Sequence, residues 1–421
     1  MKYKICGGNT LHGELRVNGA KNCVLPMLAC CVLTDETVTI DNCPKVQDVL
    51  DMADILSSIG AEVSWQGDSI SVTCKHVDGN LSCEKVGKIR ASLFLLGPLF
   101  ARNGYVSTCL PGGCAIGKRP IDIHIDGLKR LGAEVTWGDS VCCTGKVRGN
   151  DVYMRLPSVG ATENLLMCAS LCDETTVLYN CACEPEVTAL EKMLVSMGAE
   201  IHGIGTSVVT VKGGKLHGTR VSAIPDRIVA ATYILSAVCA GGDVWVTNCN
   251  PRHFSVLNNM LRDTVDCYNV YGDAVHIVKK KRHKAVSRVK TAVYPGFATD
   301  MQPLLVAAQC TACGKTVVEE TLFENRLSNA LPLQQMGADI LCRSDSIIIS
   351  GVPTLSACTV GATDLRGGAA LVLAMLGAQG TGYVTDIHHI QRGYCELEKY
   401  LRQVGADITI VEMNCQTKCN T

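Results

Sequence analysis

Six stretches of the chain share one order of polar and hydrophobic positions. Each opens with a polar or charged cluster, continues as an apolar run of roughly ten to twelve residues, breaks at Asp, Gly or Asn, and resumes with β-branched residues. This order predicts a helix, a turn and a strand. Because the runs are apolar on nearly every side, the helices should be buried on most sides. The six stretches begin at Gly19, Ile89, Val159, Pro225, Ala298 and Ala362.

A second marker lies in the other half of each stretch, where a leucine-led helix should end at a glycine and a strand should follow. Glycine is favoured just beyond a helix C-terminus because it adopts positive φ without strain. Five copies carry it, at Gly60, Gly132, Gly198, Gly337 and Gly405. The sixth copy, "LRDTVDCY" (261–268), lacks the glycine. The pattern therefore predicts six units, each with two helices and several strands.

The spacing of these units restricts the architecture. The markers recur about every 65–75 residues, which exceeds the roughly 20–50 residues typical of solenoid repeats. A propeller is all-β, and the predicted helices exclude it. We therefore expect an α/β protein with two domains of three units each.

Composition narrows the class of protein. Of 421 residues, 47% are hydrophobic and 19% are charged, as in globular proteins, and a net charge of −1 gives no reason to expect nucleic acid or an anionic membrane. The amino terminus has no apolar signal region, so we expect a cytoplasmic protein. The basic run 278–290 lies between strand-like segments and lacks interleaved aromatic residues, so we interpret it as a solvated hairpin.

The 25 cysteines lie mostly in apolar stretches, where free thiols behave as small hydrophobic side chains. A disulfide scaffold would be short and secreted, and "CTAC" (310–313) has no second pair at zinc spacing, so we expect free thiols and no metal site. Cys114 differs, because glycines flank it in "LPGGCAIGKRP" (110–120) and predict an exposed loop. This thiol is the candidate for chemistry.

Polar residues cluster where each buried helix should start. Asp, Thr and Asn at such positions are ordinary N-caps. Cations there are unusual, because a helix N-terminus already carries partial positive charge. We therefore expect the helix starts to face one cleft and to bind an external anion. The residues concerned are Lys21, Asn22, Arg90, Thr162, Glu163, Asp226, Arg227, Asp300, Asp364 and Arg366.

Ten motifs in order resemble one family. They are "NGAKN", "RASLFLLGPLFAR", "PGGCAIGKRPIDIHIDGLKRLGAEV", "SVGAT", "EPEV", "PDRI", "TDMQ", "FENR", "ATDLR" and "RGYCELE". Together they resemble the enolpyruvyl transferases that act on UDP-N-acetylglucosamine, over essentially the whole chain. The resemblance implies two similar inside-out α/β barrel domains, each of three repeated units with buried parallel helices and outer sheets. It implies one domain at 19–225, the other at 1–18 plus 226–421, and an active site in the cleft between them.

The resemblance also implies a reaction. Family members move the enolpyruvyl group of phosphoenolpyruvate to the 3′-hydroxyl of UDP-N-acetylglucosamine and release phosphate, by addition and elimination through a tetrahedral ketal. This is the first committed step of peptidoglycan synthesis. It needs no metal ion and no cofactor, and no protein partner is implied.

Residue roles follow from the matching motifs. Cys114 would be the general acid and Asp300 the base, while Lys21, Arg119 and Arg392 would hold phosphoenolpyruvate. Asp364 and Arg366 would complete the site. The residues expected to contact the nucleotide sugar are Asn22, Arg90, Arg119, Pro120, Ile121, Asp122, Ile123, Leu156, Pro157, Ser158, Val159 and Leu322.

Departures from the family pattern leave the identity of the acceptor substrate undecided. Leu156 stands where a lysine is frequent, and Val229, Ala298 and the pair Gly367 and Gly368 also differ. One alternative is an enolpyruvyl transferase for another uridine nucleotide, and another is a non-catalytic regulator that binds UDP-sugars. A silent copy should have lost Lys21, Cys114, Asp300 or Arg392, and all four remain. The sister enzyme of the shikimate pathway lacks a "PGGC" loop, which counts against it.

Overall fold

Groups of one to three strands are separated by helices along the described chain. The computed structural model describes residues 1–82, 84–110 and 121–412. The strands are β1 Lys2–Cys6, β2 Leu11–Arg16, β3 Val38–Asp41, β4 Glu62–Gln66, β5 Ser69–Thr73, β6 Asn80–Leu81, β7 Tyr105–Cys109, β8 Ala133–Trp137, β9 Ser140–Gly145, β10 Asp151–Tyr153, β11 Thr176–Tyr179, β12 Glu200–His202, β13 Val208–Lys212, β14 Arg220–Ser222, β15 Gly242–Thr247, β16 Cys267–Tyr271, β17 Ala274–Lys279, β18 Arg288–Lys290, β19 Lys315–Glu319, β20 Asp339–Cys342, β21 Ser346–Ser350, β22 Thr359–Gly361, β23 Thr381–Thr385 and β24 Asp407–Val411.

The run from Ile89 does not begin as the predicted α-helix, because Arg90–Leu95 form a 3₁₀ helix and α-helical structure starts only at Leu96. The other buried helices begin at or close to the predicted polar clusters. The α-helices of the described residues have the following bounds. They are α1 Lys21–Cys30, α2 Gln47–Ser58, α3 Leu96–Asn103, α4 Asp122–Arg130, α5 Val159–Ala169, α6 Pro185–Ser196, α7 Arg227–Ala240, α8 Ser255–Arg262, α9 Gln302–Gln309, α10 Ala330–Gln335, α11 Leu365–Leu376, α12 His388–Gln391 and α13 Leu397–Gln403. Short 3₁₀ helices span Cys31–Leu33, Glu84–Gly87, Arg90–Leu95, Pro251–Phe254 and Arg326–Asn329.

In the part of the chain that the structure describes, six four-stranded sheets share one topology, which confirms the six predicted units. In each sheet an edge strand pairs in parallel with a central strand, and the other two pairings are antiparallel. The strand orders are β14-β3-β5-β4, β6-β7-β9-β8, β10-β11-β13-β12, β2-β15-β17-β16, β18-β19-β21-β20 and β22-β23-β1-β24.

Helices fill the interior and the sheets lie outside them. In the second half of the chain, α7, α9 and α11 contact one another, and the stretch Ala230–Cys239 of α7 is entirely buried. The corresponding helices of the first half are α1, α3 and α5, and α3 packs on α5. The arrangement confirms the predicted inside-out α/β architecture, and it explains why the helical runs are apolar on nearly every side.

The first two strands leave their neighbours in sequence and join the second half. Strand β1 lies between β23 and β24, and β2 runs parallel to β15. The described core forms one cluster from residues 20–223 and another from residues 3–17 together with 228–408. These clusters support our proposal that 19–225 and 1–18 plus 226–421 are two domains.

The predicted helix ends are confirmed. All five glycines of the second marker have positive φ, between 92° and 111°: Gly60, Gly132, Gly198, Gly337 and Gly405. Helix α8, in the copy without glycine, ends at Arg262, and none of Asp263, Thr264 and Val265 has positive φ. The last turn of that helix therefore closes without the left-handed residue used by the other five.

The basic run 278–290 is not the predicted hairpin, because it links β17 to β18, which belong to different sheets. It also has a structural role that its composition did not reveal. Arg282 donates to the carbonyl oxygens of Thr311, Ala312 and Gly351, just beyond the C-terminus of α9. Arg102 likewise donates to the Val32 carbonyl, just after α1. A cation is favoured at a helix C-terminus because the last carbonyl groups carry partial negative charge.

Buried cysteines behave as the composition indicates. Cys30, Cys31, Cys74 and Cys168 are fully buried free thiols, and burial raises the pKa of Cys74 to about 11. Across 1–82, 84–110 and 121–412, no three His, Cys, Asp or Glu side chains are arranged to hold a metal ion.

In the same residues, no helix combines the length and the hydrophobicity needed to cross a bilayer.

Candidate active site

Two cations expected to bind one substrate share a carboxylate that joins the two halves of the chain. Lys21 is the first residue of α1, and its Nζ donates to Asp48 Oδ2 at 3.0 Å. Arg392, which follows α12, donates from Nε to Asp48 Oδ1 at 2.9 Å. Asp48 lies in the first turn of α2 and is 5% exposed. The structure therefore brings Lys21 and Arg392 together, although they are far apart in sequence.

The electrostatic environment of Lys21 is dominated by burial. Its pKa is lowered chiefly because the ammonium group is cut off from water, and Arg366 and Arg392 lower it further by repulsion. Asp48 opposes this shift and holds the charge in place. A Cβ at Gly393 would lie 3.4 Å from Lys21 Nζ, so that segment passes directly over the lysine. Three cations thus crowd one buried position, which an anion would stabilise.

The candidate base lies beside two arginines. Asp300 precedes α9, and its Oδ1 accepts from Arg326 Nη2 at 2.5 Å. Its Oδ2 lies 3.4 Å from Arg366 Nε. Arg326 also reaches Asp364 at 3.4 Å, so two carboxylates and two guanidinium groups form one charged cluster. The structure brings together Asp300, Asp364 and Arg366.

The start of α11 explains two of the departures in sequence. Asp364 caps this helix, and its Oδ1 accepts the backbone N–H groups of Arg366 and Gly367 at 3.0 and 3.1 Å. A Cβ at Gly367 would lie 2.6 Å from Asp364 Oδ2, and one at Gly368 would lie 2.8 Å from Ile390. The two glycines therefore make room for the cap and for close packing of α12 on α11.

The expectation that each cation at a helix start needs an external anion is wrong for one residue. Arg227, at the start of α7, has an internal counter-charge, because its Nε donates to both oxygens of Glu186 at 2.9 and 3.3 Å. An external anion is therefore not needed to balance it. The convergence of helix starts is nevertheless present, because Asp226 and Asp300 both act electrostatically on Arg366.

Glu163 is the fifth residue of α5, and it lies near Glu184 and Glu186 of the same half. Its carboxyl group is fully buried, and neither oxygen has a hydrogen-bond partner among the described residues. Burial, followed by the negative charges of Glu186 and Glu184, raises its pKa well above the usual range. The surroundings of Glu163 therefore favour the neutral form of its carboxyl group.

Residues expected at the nucleotide form a second group in the first half. Ile121 precedes α4, and Asp122 is its first residue. Asp122 Oδ1 accepts the N–H of Ile123 at 2.9 Å, while Oδ2 pairs with Arg155, which lowers the pKa of that carboxyl. A cavity of about 410 Å³ lies beside them, lined by Ile123, Lys129 and Arg155 among others.

The segment before α5 borders this group. Leu156 is 58% exposed, Pro157 and Val159 are half-buried, and Ser158 caps α5 by accepting the Ala161 N–H at 3.4 Å. Leu156 carries no charge, but the preceding residue, Arg155, places a cation next to it. Arg155 is held by its ion pair with Asp122.

The remaining expected contacts lie at other helix starts. Asn22 is the half-buried second residue of α1, and Arg90, at the start of a 3₁₀ helix, acts electrostatically on the buried His124 of α4. Leu322 is 40% exposed and donates its N–H to Glu320, whose other oxygen accepts from Thr299 beside Asp300. Cys114, Arg119 and Pro120 lie outside the described residues.

Sequence reasoning missed several partners of the expected residues. Asp48, Glu186 and Arg326 each pair with an expected residue, and Tyr394 lies under Arg366. Asp48 and Glu186 are acidic residues in first helical turns, which is an ordinary position for them. The signal available for Tyr394 was its place two residues after Arg392 in "RGYCELE".

Comparisons with known proteins agree over almost the whole chain. The family model described as EPSP synthase (3-phosphoshikimate 1-carboxyvinyltransferase) matches residues 5–409. UDP-N-acetylglucosamine 1-carboxyvinyltransferase 2 of Caldanaerobacter subterraneus subsp. tengcongensis is 44% identical, over 97% of this chain and 99% of that protein. UDP-N-acetylglucosamine 1-carboxyvinyltransferase 1 of Symbiobacterium thermophilum is 43% identical, over 97% and 95%.

Solved structures give the same result. The enolpyruvyl transferase NikO from Streptomyces tendae superposes with a TM-score of 0.87 at 26% identity, covering 97% of this chain and 98% of that one. An EPSP synthase from Acinetobacter baumannii has a TM-score of 0.72 at 18% identity, covering 98% and 100%, and at that identity the likeness concerns the fold alone.

Proposed function

The chain belongs to the EPSP synthase family, and we propose that within it the chain is a UDP-N-acetylglucosamine 1-carboxyvinyltransferase. It transfers the enolpyruvyl group of phosphoenolpyruvate to the 3′-hydroxyl of UDP-N-acetylglucosamine and releases phosphate. This reaction is the first committed step of peptidoglycan synthesis.

The observation that carries the proposal is the crowding of cations from both halves of the chain around Lys21. Arg366 and Arg392 both disfavour the charge of this buried lysine. Phosphoenolpyruvate carries a phosphate and a carboxylate, and it matches such a site because charge-assisted hydrogen bonds to anions are strong in a shielded environment.

The chemical step needs a base and an acid. Asp300 takes the proton of the sugar 3′-hydroxyl as that oxygen attacks C2 of phosphoenolpyruvate, and Cys114 gives a proton to C3. The resulting ketal then loses a proton from C3 and expels phosphate, which restores the double bond. Arg326 and Arg366 hold the Asp300 carboxylate in one orientation.

The acceptor binds through the first half. Lys129, Arg130 and Arg155 line the cavity next to α4. These cations supply positive charge for the diphosphate of the nucleotide sugar.

The test is to incubate the protein with phosphoenolpyruvate and UDP-N-acetylglucosamine, weigh the product by mass spectrometry and measure the phosphate released. The proposal predicts one phosphate for each sugar nucleotide that gains an enolpyruvyl group. A phosphonate epoxide such as fosfomycin should block turnover through Cys114, and a Cys114→Ala variant should lose activity. The exposed thiol of Cys313 provides the matched control, Cys313→Ala, which should remain active. Absence of phosphate release from the wild type would contradict the proposal.

A different uridine nucleotide is the second candidate acceptor, because Leu156 is 58% exposed where a lysine is frequent. The same assay with other uridine nucleotides distinguishes the two. Transfer to one of these, with none to UDP-N-acetylglucosamine, would favour it. Binding of UDP-N-acetylglucosamine without phosphate release from any acceptor would instead favour a regulatory protein.

A further inference from the structure

Arg366 is a guanidinium group that the described protein satisfies only in part. It is 2% exposed, and its Nε and Nη1 have no hydrogen-bond partner among the residues described. The neighbouring Asp300 Oδ2, at 3.4 Å, forms an ion pair without an aligned hydrogen bond. A buried guanidinium with unused donors is costly unless a ligand completes it, so its orientation has to be fixed by other contacts.

Tyr394 fixes the orientation of the Arg366 guanidinium group. The ring centroid of this buried tyrosine lies 5.3 Å from Arg366 Cζ, within the range of a cation–π contact. The Tyr394 hydroxyl also acts electrostatically on the arginine. The ring contact of this buried aromatic residue thus limits the tilt of the guanidinium plane.

Thr232, on α7, determines the orientation of the Tyr394 hydroxyl group. The Thr232 hydroxyl donates to the Ile228 carbonyl at 2.8 Å, which uses its one proton. The Tyr394 hydroxyl lies 2.8 Å from Thr232 Oγ1 and must therefore donate to it. The Tyr394 proton is thus directed at Thr232, and the oxygen lone pairs remain available to a cation.

We propose that Tyr394 is a positioning residue, fixed by Thr232, which holds Arg366 with its unused donors directed at the bound phosphoenolpyruvate anion. This inference rests on the proposed function. These contacts, which we call the relay, connect Thr232 of α7 through Tyr394 to Arg366 at the start of α11. They fix the position of the anion-binding arginine relative to α7, a helix in the same half of the chain.

The test compares variants that remove one hydroxyl each. Tyr394→Phe keeps the ring and removes the oxygen, and Thr232→Val removes the hydroxyl with nearly the same shape, whereas Thr232→Ser keeps it. The matched control is Tyr268→Phe, which removes another buried tyrosine hydroxyl, bonded to Asn258 at 2.5 Å and away from these residues. Each variant is assayed for phosphate release with both substrates, and its thermal unfolding midpoint is recorded.

Tyr394→Phe and Thr232→Val should lower kcat/KM for phosphoenolpyruvate by about 10- to 100-fold, because a misdirected Arg366 loses about one hydrogen bond to the charged substrate. The KM for phosphoenolpyruvate should rise while that for UDP-N-acetylglucosamine changes by less than about twofold. Thr232→Ser should restore most of the activity, and Tyr268→Phe should match the wild type. Those four results together would support the relay.

Other outcomes overturn the inference. If the wild type is active and Tyr394→Phe has the same kcat/KM, the inference is wrong. It is also wrong if Tyr268→Phe loses activity as well, and the losses in both variants follow their losses of thermal stability. If the wild type releases no phosphate, the proposed function fails, and calorimetric titration with phosphoenolpyruvate decides the inference alone. Weaker binding by Tyr394→Phe would then support it, and equal binding would overturn it.

Discussion

Replacement of Asp48 by Asn tests the electrostatic balance at the centre of the site. The substitution keeps the shape of the side chain and removes the charge that Lys21 and Arg392 share. The Lys21 and Asp48 side chains are only 10% and 8% exposed, so this pair is buried. Removing one partner of a buried pair costs about 3–5 kcal/mol, because the other charge is left without compensation.

The second pair adds little to this loss of stability. The Arg392 side chain is 41% exposed, and pairs of that kind contribute roughly 0–1 kcal/mol. We therefore expect Asp48→Asn to lower the free energy of unfolding at pH 7 by about 3–5 kcal/mol, in line with a buried pair. The matched control is Asp54→Asn on the same helix, where the exposed carboxylate pairs with Lys85 at the surface and should contribute at most about 1 kcal/mol.

The pH dependence gives a second sign of the same effect. The folded pKa of Lys21 is already lowered from 10.5, and loss of Asp48 lowers it further. Between that lowered value and 10.5 the unfolded chain binds a proton that the folded chain does not, so the stability of the variant should rise with pH. The slope approaches about 1.4 kcal/mol per pH unit, steeper than in the wild type. Urea unfolding at pH 7, 8 and 9 measures both effects, and a variant that behaves like Asp54→Asn would refute the reasoning.

Three further predictions concern other groups. Glu163→Gln should stabilise the protein increasingly above pH 4.5, by up to about 1.4 kcal/mol per pH unit, because the buried acid must stay neutral while the unfolded one ionises; equal differences in urea unfolding at pH 5 and 7 would contradict this. The rate at which Cys114 is alkylated should report a low thiol pKa in the empty site, where Lys118 and Arg119 stand nearby in sequence, and a higher one with phosphoenolpyruvate bound; a pKa that the ligand leaves unchanged would refute that role. Gly97→Ala should cost about 1–3 kcal/mol, because the new Cβ would overlap the backbone oxygen of Asn164, and an unchanged melting temperature would show that the helices can separate there.

The repeat made most of the fold predictable. Apolar runs and positive-φ glycines recur in each unit, and both arise from local requirements: a helix buried on all sides and a helix that must end before a strand. The pairing of β1 and β2 with the second half follows from no local pattern, because parallel and antiparallel partners far along the chain leave no periodic signal. The family resemblance alone indicated it.

The site was predictable on one side of the ion pairs made by Lys21 and Arg227. Both residues attract notice because cations are disfavoured at helix starts. Their partners do not, because Asp48 and Glu186 occupy positions where acidic residues are common. The sequence therefore predicts an excess of positive charge, and the three-dimensional arrangement supplies the carboxylates that moderate it.

The most direct test of the central claim, that cations from both halves bind one anion, is kcat/KM for phosphoenolpyruvate in Lys21→Ala and Arg392→Ala. Each lost hydrogen bond to a charged group should lower it by about 10- to 150-fold. The control Arg220→Ala removes an exposed arginine that pairs with Asp41 and should leave it unchanged. Losses of that size in both variants are the predicted result, and near-wild-type values in either one would contradict the account.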